Sequence, residues 1–168
     1  MKTQCHNPYL PLWEHIPDGE PHVFEDRLYI FGSHDLENGN EFCEQDYVSW
    51  SAPLDDLSDW RYEGVIYRKD QDPYNVNVLP LYAPDVVQGR DGRYYLYYCI
   101  KFQDSINVAV CDTPAGQYEF YGRVQYKDGQ AMMENQTYDP SVICTEEGNF
   151  LYFGFAPCMI NIPRYKDQ

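Results

Sequence analysis

Positive charge is scarce: 12 Lys and Arg stand against 27 Asp and Glu, for a net charge of −15. A field of that sign repels phosphate backbones, which argues against nucleic acid as a partner. It does not select among neutral partners such as sugars, and its simplest consequence is solubility. Long apolar runs are missing as well. The opening Met1-Lys2-Thr3-Gln4-Cys5-His6-Asn7-Pro8 has no apolar stretch that could serve as a signal sequence, and no later segment approaches a membrane span. The expectation is a cytoplasmic protein with no membrane partner. Paired cysteines are absent too: Cys5, Cys43, Cys99, Cys111, Cys144 and Cys158 form no C-x-x-C unit, so free thiols and no metal site are expected. Cys99 and Cys111 sit within apolar, strand-like runs and read as small core residues.

What is present points to a folded, strand-rich domain. The 168 residues suit about one domain, and 43% hydrophobic with 23% charged residues excludes a disordered chain. Seventeen tyrosines against eight phenylalanines favour pleated surfaces and polar pockets over helical bundles.

Three segments repeat one another: Glu20-Pro21-His22-Val23-Phe24, Ala83-Pro84-Asp85-Val86-Val87 and Asp139-Pro140-Ser141-Val142-Ile143. A turn and an aromatic strand follow each: Asp26 to Phe31, then Asp91-Gly92 before Arg93 to Tyr98, then Glu147-Gly148 before Asn149 to Phe153. Such turns between β-rich runs signal hairpins. Two further strands are expected behind the first hairpin, at Tyr47 to Ser51 and Trp60 to Tyr67. Two more are expected behind the second, at Ile106 to Cys111 and Tyr118 to Tyr121. Four antiparallel strands per repeat make the blade of a β-propeller, and the prolines stand 63 and then 56 residues apart, which allows blades with long loops.

The fold class expected is therefore all-β, a single incomplete β-propeller over residues 1–168. Blade 1 covers about 20–70, blade 2 about 80–127 and a partial blade 3 about 137–156. Two and a half blades do not close a ring. Five blades of about 60 residues each would need about 300 residues, so the chain reads as the N-terminal part of a longer protein. The tail from Pro157 to Gln168 shows no strand pattern, and the edge of the strand from Asn149 to Phe155 is expected to invite self-association.

Three motifs, Asn7-Pro8-Tyr9-Leu10-Pro11, Ala83-Pro84-Asp85 and Tyr138-Asp139-Pro140-Ser141-Val142, resemble glycoside hydrolase family 43 across nearly the whole chain. The resemblance implies a five-bladed propeller that cleaves arabinofuranosides, xylosides and related hemicellulose linkages with inversion. It also implies three carboxyl groups from successive blades: a general base, a modulator of the acid's pKa, and a glutamate acid. An inverting enzyme holds a water between base and sugar, with its carboxyls about 6.5–9.5 Å apart, and separate blades can set that spacing.

Asp139 matches the third-blade motif and takes the modulator role; outside the repeat it would read as a turn aspartate before proline. For the base, register against Pro21 favours Glu20 and residue type favours Asp18; being two apart, they share a face if the segment is extended. Asp85 follows the second-blade proline where the family presents a polar residue to the pocket, and Tyr82 stands where the family places tryptophan, so both are substrate-binding candidates. Trp13, His22, His34 and Trp50 read as packed aromatics and hydrogen-bonded core histidines. The family's glutamate lies a blade beyond Asp139 and has no counterpart here, so the chain alone is expected to lack its general acid and to be inactive. No cofactor is implied for the reaction, although many members carry a structural calcium through a late blade. The implied partner is an oligosaccharide or polysaccharide. A non-catalytic, carbohydrate-binding or structural propeller is the alternative that the unusual Asp18-Gly19-Glu20-Pro21 sequence keeps open.

Overall fold

The computed structural model describes residues 7–133 and 137–154; Cys5, Cys158, Phe155 and the tail from Pro157 lie outside the described residues. Among the described residues, ten strands form three antiparallel sheets. The first sheet runs in chain order through β1 (Glu20–Phe24), β2 (Arg27–Phe31), β3 (Tyr47–Pro53) and β4 (Arg61–Tyr67). A short 3-10 turn at Lys69–Gln71 leads on to β5 (Leu81–Gln88), β6 (Tyr94–Ile100), β7 (Ile106–Cys111) and β8 (Glu119–Arg123), the second sheet. β9 (Ser141–Cys144) and β10 (Asn149–Tyr152) form a two-stranded third. Each sheet is a meander of neighbours in sequence, so the fold is all-β with propeller-type blades, two of four strands and one of two. No helix among the described residues is long and apolar enough to cross a membrane.

Turn chemistry sets the registers. Gly92 at φ 83° closes the β5–β6 hairpin, where Gly89 N–H donates to the Arg93 carbonyl at 2.8 Å and fixes Gln88 opposite Tyr94. Between Tyr82 and Asp85 the pairing of β5 with β6 shifts, a bulge at the start of the strand.

The main core lies between the first two blades. Phe24, Tyr29, Phe31 and Tyr67 of blade 1 pack with Leu96, Tyr98 and other residues of blade 2 in one buried cluster. Buried tyrosines need partners for their hydroxyls. The Tyr47 hydroxyl donates to the Tyr82 carbonyl at 3.0 Å, Tyr118 to the Pro114 carbonyl at 2.8 Å, and the Tyr98 hydroxyl donates to the buried Asp72 carboxylate while lying 2.8 Å from that of Tyr67. The opposite face of blade 1 is covered by the segment before β1. Trp13 stacks obliquely on Trp50, and Glu14 takes hydrogen bonds from Trp50 Nε1 at 2.6 Å and His34 Nε2 at 3.0 Å.

Candidate functional site

Asp18, Glu20, Ala83, Pro84, Asp139, Pro140 and Ser141 line one cleft of about 250 Å³. They come from the start of all three blades, so the repeated proline segments meet at one place. Ala83 and Asp139 each precede a proline, which disfavours the α region, yet both are left-handed, at φ 35° and 51°; Asp18 is left-handed too, at φ 55°. Aspartate tolerates this conformation better than alanine, and a non-glycine residue held there costs of order 1–3 kcal/mol. Each of the three blade starts thus places one left-handed residue at the cleft.

Ser33, fully buried two residues beyond β2, shows what holds the kinks. Its hydroxyl accepts from Ala83 N–H at 2.8 Å, which leaves its proton to be donated to Asp18 Oδ2 at 3.1 Å. One side chain thus orients the first-blade aspartate and anchors the second-blade kink. The Asp18 turn also needs Gly32: a Cβ there would stand 2.4 Å from Ile16 Cγ2 and 2.8 Å from the Pro17 carbonyl. Glu20, the first residue of β1, faces the same cleft and is exposed.

Across the cleft, partial burial raises the Asp139 carboxyl above the ordinary aspartate range, and the negative charge of Asp18 adds to the rise. Burial pushes the Cys43 thiol up to about 11 and the Cys99 thiol up to about 12, which favours the protonated form of both at neutral pH. Cys99 is fully buried, as a small core residue should be, whereas Cys111 is half-buried at the end of β7.

Two expected lining residues stand elsewhere. Asp85 is only 2% exposed, and its carboxylate accepts bonds from His22 Nε2, Val86 N–H and Val142 N–H, so it ties the blades together behind the residues that line the cleft. Tyr82 is half-buried, its ring packed against the cluster of Cys99, Ile106 and Met132. The bulge between Tyr82 and Asp85 turns Ala83 and Pro84, not their neighbours, toward the cleft. His34 is a buried, hydrogen-bonded histidine bound to the Asp46 carbonyl at 2.8 Å and to Glu14, and Trp50 is buried; Trp13 remains 61% exposed. Ser33 and Glu14 carry no motif in the sequence; only the strand-then-small-residue run Phe31-Gly32-Ser33 hints at a close backbone approach.

Residues 19–162 match the profile of glycosyl hydrolases family 43. A xylosidase/arabinosidase of Thermoclostridium stercorarium is 58% identical over 162 residues, covering 94% of this chain and 34% of that protein. A xylosidase/arabinosidase of Bacteroides ovatus is 32% identical over 167 residues, covering 92% of this chain and 47% of its own length. Among solved structures, the GH43_1 enzyme from Xanthomonas citri complexed with xylose superposes with a TM-score of 0.67 at 29% identity, over 87% of this chain and 41% of that one. CoXyl43, a β-xylosidase/α-arabinofuranosidase from a compost metagenome solved with xylotriose in calcium-free form, gives 0.63 at 26% identity, over 90% and 46%. The chain spans between about a third and a half of the length of these relatives. No three His, Cys, Asp or Glu side chains among the described residues come together as a metal site.

Proposed function

The chain belongs to glycosyl hydrolases family 43, and from that premise we propose that it forms part of a glycosidase acting on xylosides or arabinofuranosides of hemicellulose oligosaccharides. The observation that carries the reading is the facing pair Asp18 and Asp139, brought from the first and third blades to one cleft. Asp18 is the general base. It faces Asp139 closely enough for its charge to act there, and Ser33 orients its carboxylate, whereas Glu20 has no such support. In the proposed inverting reaction Asp18 takes a proton from the attacking water as the oxygen bonds to the anomeric carbon; the glycosidic bond breaks and the leaving oxygen is protonated by an acid. Asp139 serves as the modulator, its charge favouring the protonated form of that acid. The names of the relatives and the xylose and xylotriose in the solved structures support the sugar class.

Turnover of a natural xylo- or arabino-oligosaccharide by the full-length protein tests this. Asp18→Asn should lower it by about 10²- to 10⁴-fold, with recovery when azide replaces the activated water, while Glu20→Gln loses little. Near-normal turnover in Asp18→Asn overturns the assignment, and no turnover of any oligosaccharide by the unaltered protein favours a binding propeller. Among the described residues no strand pairs with the outer edge of β10, and Tyr152 is 60% exposed, which supports self-association as a further part of the reading. Light scattering showing a monomer of this chain would remove it.

A further inference from the structure

Asp85 sits in β5 behind the cleft wall, and its buried carboxylate gathers bonds from all three blades. From blade 1, His22 Nε2 donates to Oδ1 at 2.6 Å, its ring stacked on Phe24 at 5.7 Å. From blade 3, Val142 N–H donates to Oδ2 at 2.6 Å. From blade 2 itself, Val86 N–H donates to Oδ1 at 2.8 Å. His22 lies four residues beyond Asp18, and Val142 three beyond Asp139.

We propose that Asp85 is a positioning residue that sets the separation of Asp18 and Asp139 by tying β1 and β9 to one point. In its bearing on catalysis, this rests on the reading of that pair given above. Three features make the tie specific to the cleft. Val142 is 5% exposed, so its N–H, bonded to Asp85, would be left unsatisfied if the carboxylate were lost. Between Val142 and Asp139 stand only Ser141 and the buried Pro140, whose fixed φ makes the link stiff, so a shift of β9 is passed to Asp139. An ionised carboxylate, finally, is the one side chain that accepts three donors at this point. Asparagine keeps the shape but sets an NH₂ against at least one N–H.

The test follows the Asp139 carboxyl by 13C NMR across pH, together with hydrogen exchange at the Val142 amide, in the full chain. This reads geometry directly, so it succeeds or fails whether or not the protein hydrolyses anything. In Asp85→Asn the Val142 amide should exchange about ten- to a hundredfold faster, and the Asp139 pKa should fall toward the ordinary value of about 3.9 as the cleft opens to water. His22→Phe, which keeps the stack on Phe24 and removes only the donor, should move both in the same direction by less. Val108→Ala, a core change in β7 two strands from Asp85 that touches none of its hydrogen bonds, should lower stability and leave the Asp139 titration in place. If Asp85→Asn fails to fold, His22→Phe decides. An Asp139 titration in folded Asp85→Asn or His22→Phe that overlays the wild type, or an equal shift in Val108→Ala, overturns the proposal.

Discussion

The two joints between blades are built differently. Between blades 1 and 2 the chain buries a continuous aromatic cluster that includes Phe24, Tyr29, Phe31, Tyr67, Leu96 and Tyr98. Between blades 2 and 3 the apolar contact is small, centred on Cys99, Ile106 and Met132, and β10 leaves Phe150 44% and Tyr152 60% exposed. Non-directional burial holds the first joint, while the second relies on placed hydrogen bonds, above all those of Asp85. The cleft spans both: Asp18 belongs to the well-packed side and Asp139 to the lightly packed one. A firm joint and a thin one thus share the task of fixing two carboxyls.

The largest expected effect would break that contrast if it failed. Phe31→Ala removes a fully buried ring from the first joint and should cost about 3–5 kcal/mol. Leu151→Ala, half-buried at the second joint, should cost about 1 kcal/mol. Urea unfolding of both variants measures the difference, and equal losses would mean that the two joints do not differ in packing.

Gly32→Ala comes next. Its Cβ would collide with Ile16 and the Pro17 carbonyl, both in the segment leading to Asp18, at a cost of about 1–3 kcal/mol. Because Asp18 must shift, the Asp139 titration should move along with the melting temperature; a loss of stability with an unmoved titration would separate the Asp18 turn from the cleft.

Arg90→Ala sharpens the comparison at its weak end. The Arg90 guanidinium donates to the Thr145 carbonyl across the second joint, but the bond is exposed, so thermal unfolding should change by no more than about 0.5 kcal/mol. A larger loss would put the strength of that joint at its rim and not at Asp85.

The smallest effect has a definite sign. Asp139 titrates above its unfolded value, so its contribution to stability is fully present below the ordinary aspartate range and is lost as pH rises through the folded pKa. Asparagine mimics the protonated form. Asp139→Asn should therefore be slightly more stable than the wild type at neutral pH, with the margin closing on acidification, as followed by thermal melts across pH. A margin that widens in acid would reverse the sign.

Much of this was legible in the sequence because strands announce themselves locally. Alternation, Asp91-Gly92 and Glu147-Gly148, and the three proline segments mark the hairpins and the repeat, and the repeat alone brings Asp139 toward Asp18 and Glu20. Facing was harder to read. A one-position irregularity exchanges the sides of a strand, and the bulge between Tyr82 and Asp85 put Asp85 in the interior and Ala83 at the cleft. Ser33 and Glu14 were invisible for another reason: each works through partners distant in sequence, Ala83 and Asp18 for one, Trp50 and His34 for the other, from segments with no periodicity. The proposed choice of Asp18 over Glu20 likewise rests on the Ser33 hydroxyl, a contact between residues 15 apart that no spacing reveals.

The most direct measurement is the site-specific titration of the Asp139 carboxyl in Asp18→Asn beside Glu20→Gln. If Asp18 is the residue that faces it across the cleft, the Asp139 pKa is elevated in the wild type, drops in Asp18→Asn and stays elevated in Glu20→Gln. A drop in Glu20→Gln with none in Asp18→Asn would contradict the pairing on which the proposed chemistry depends.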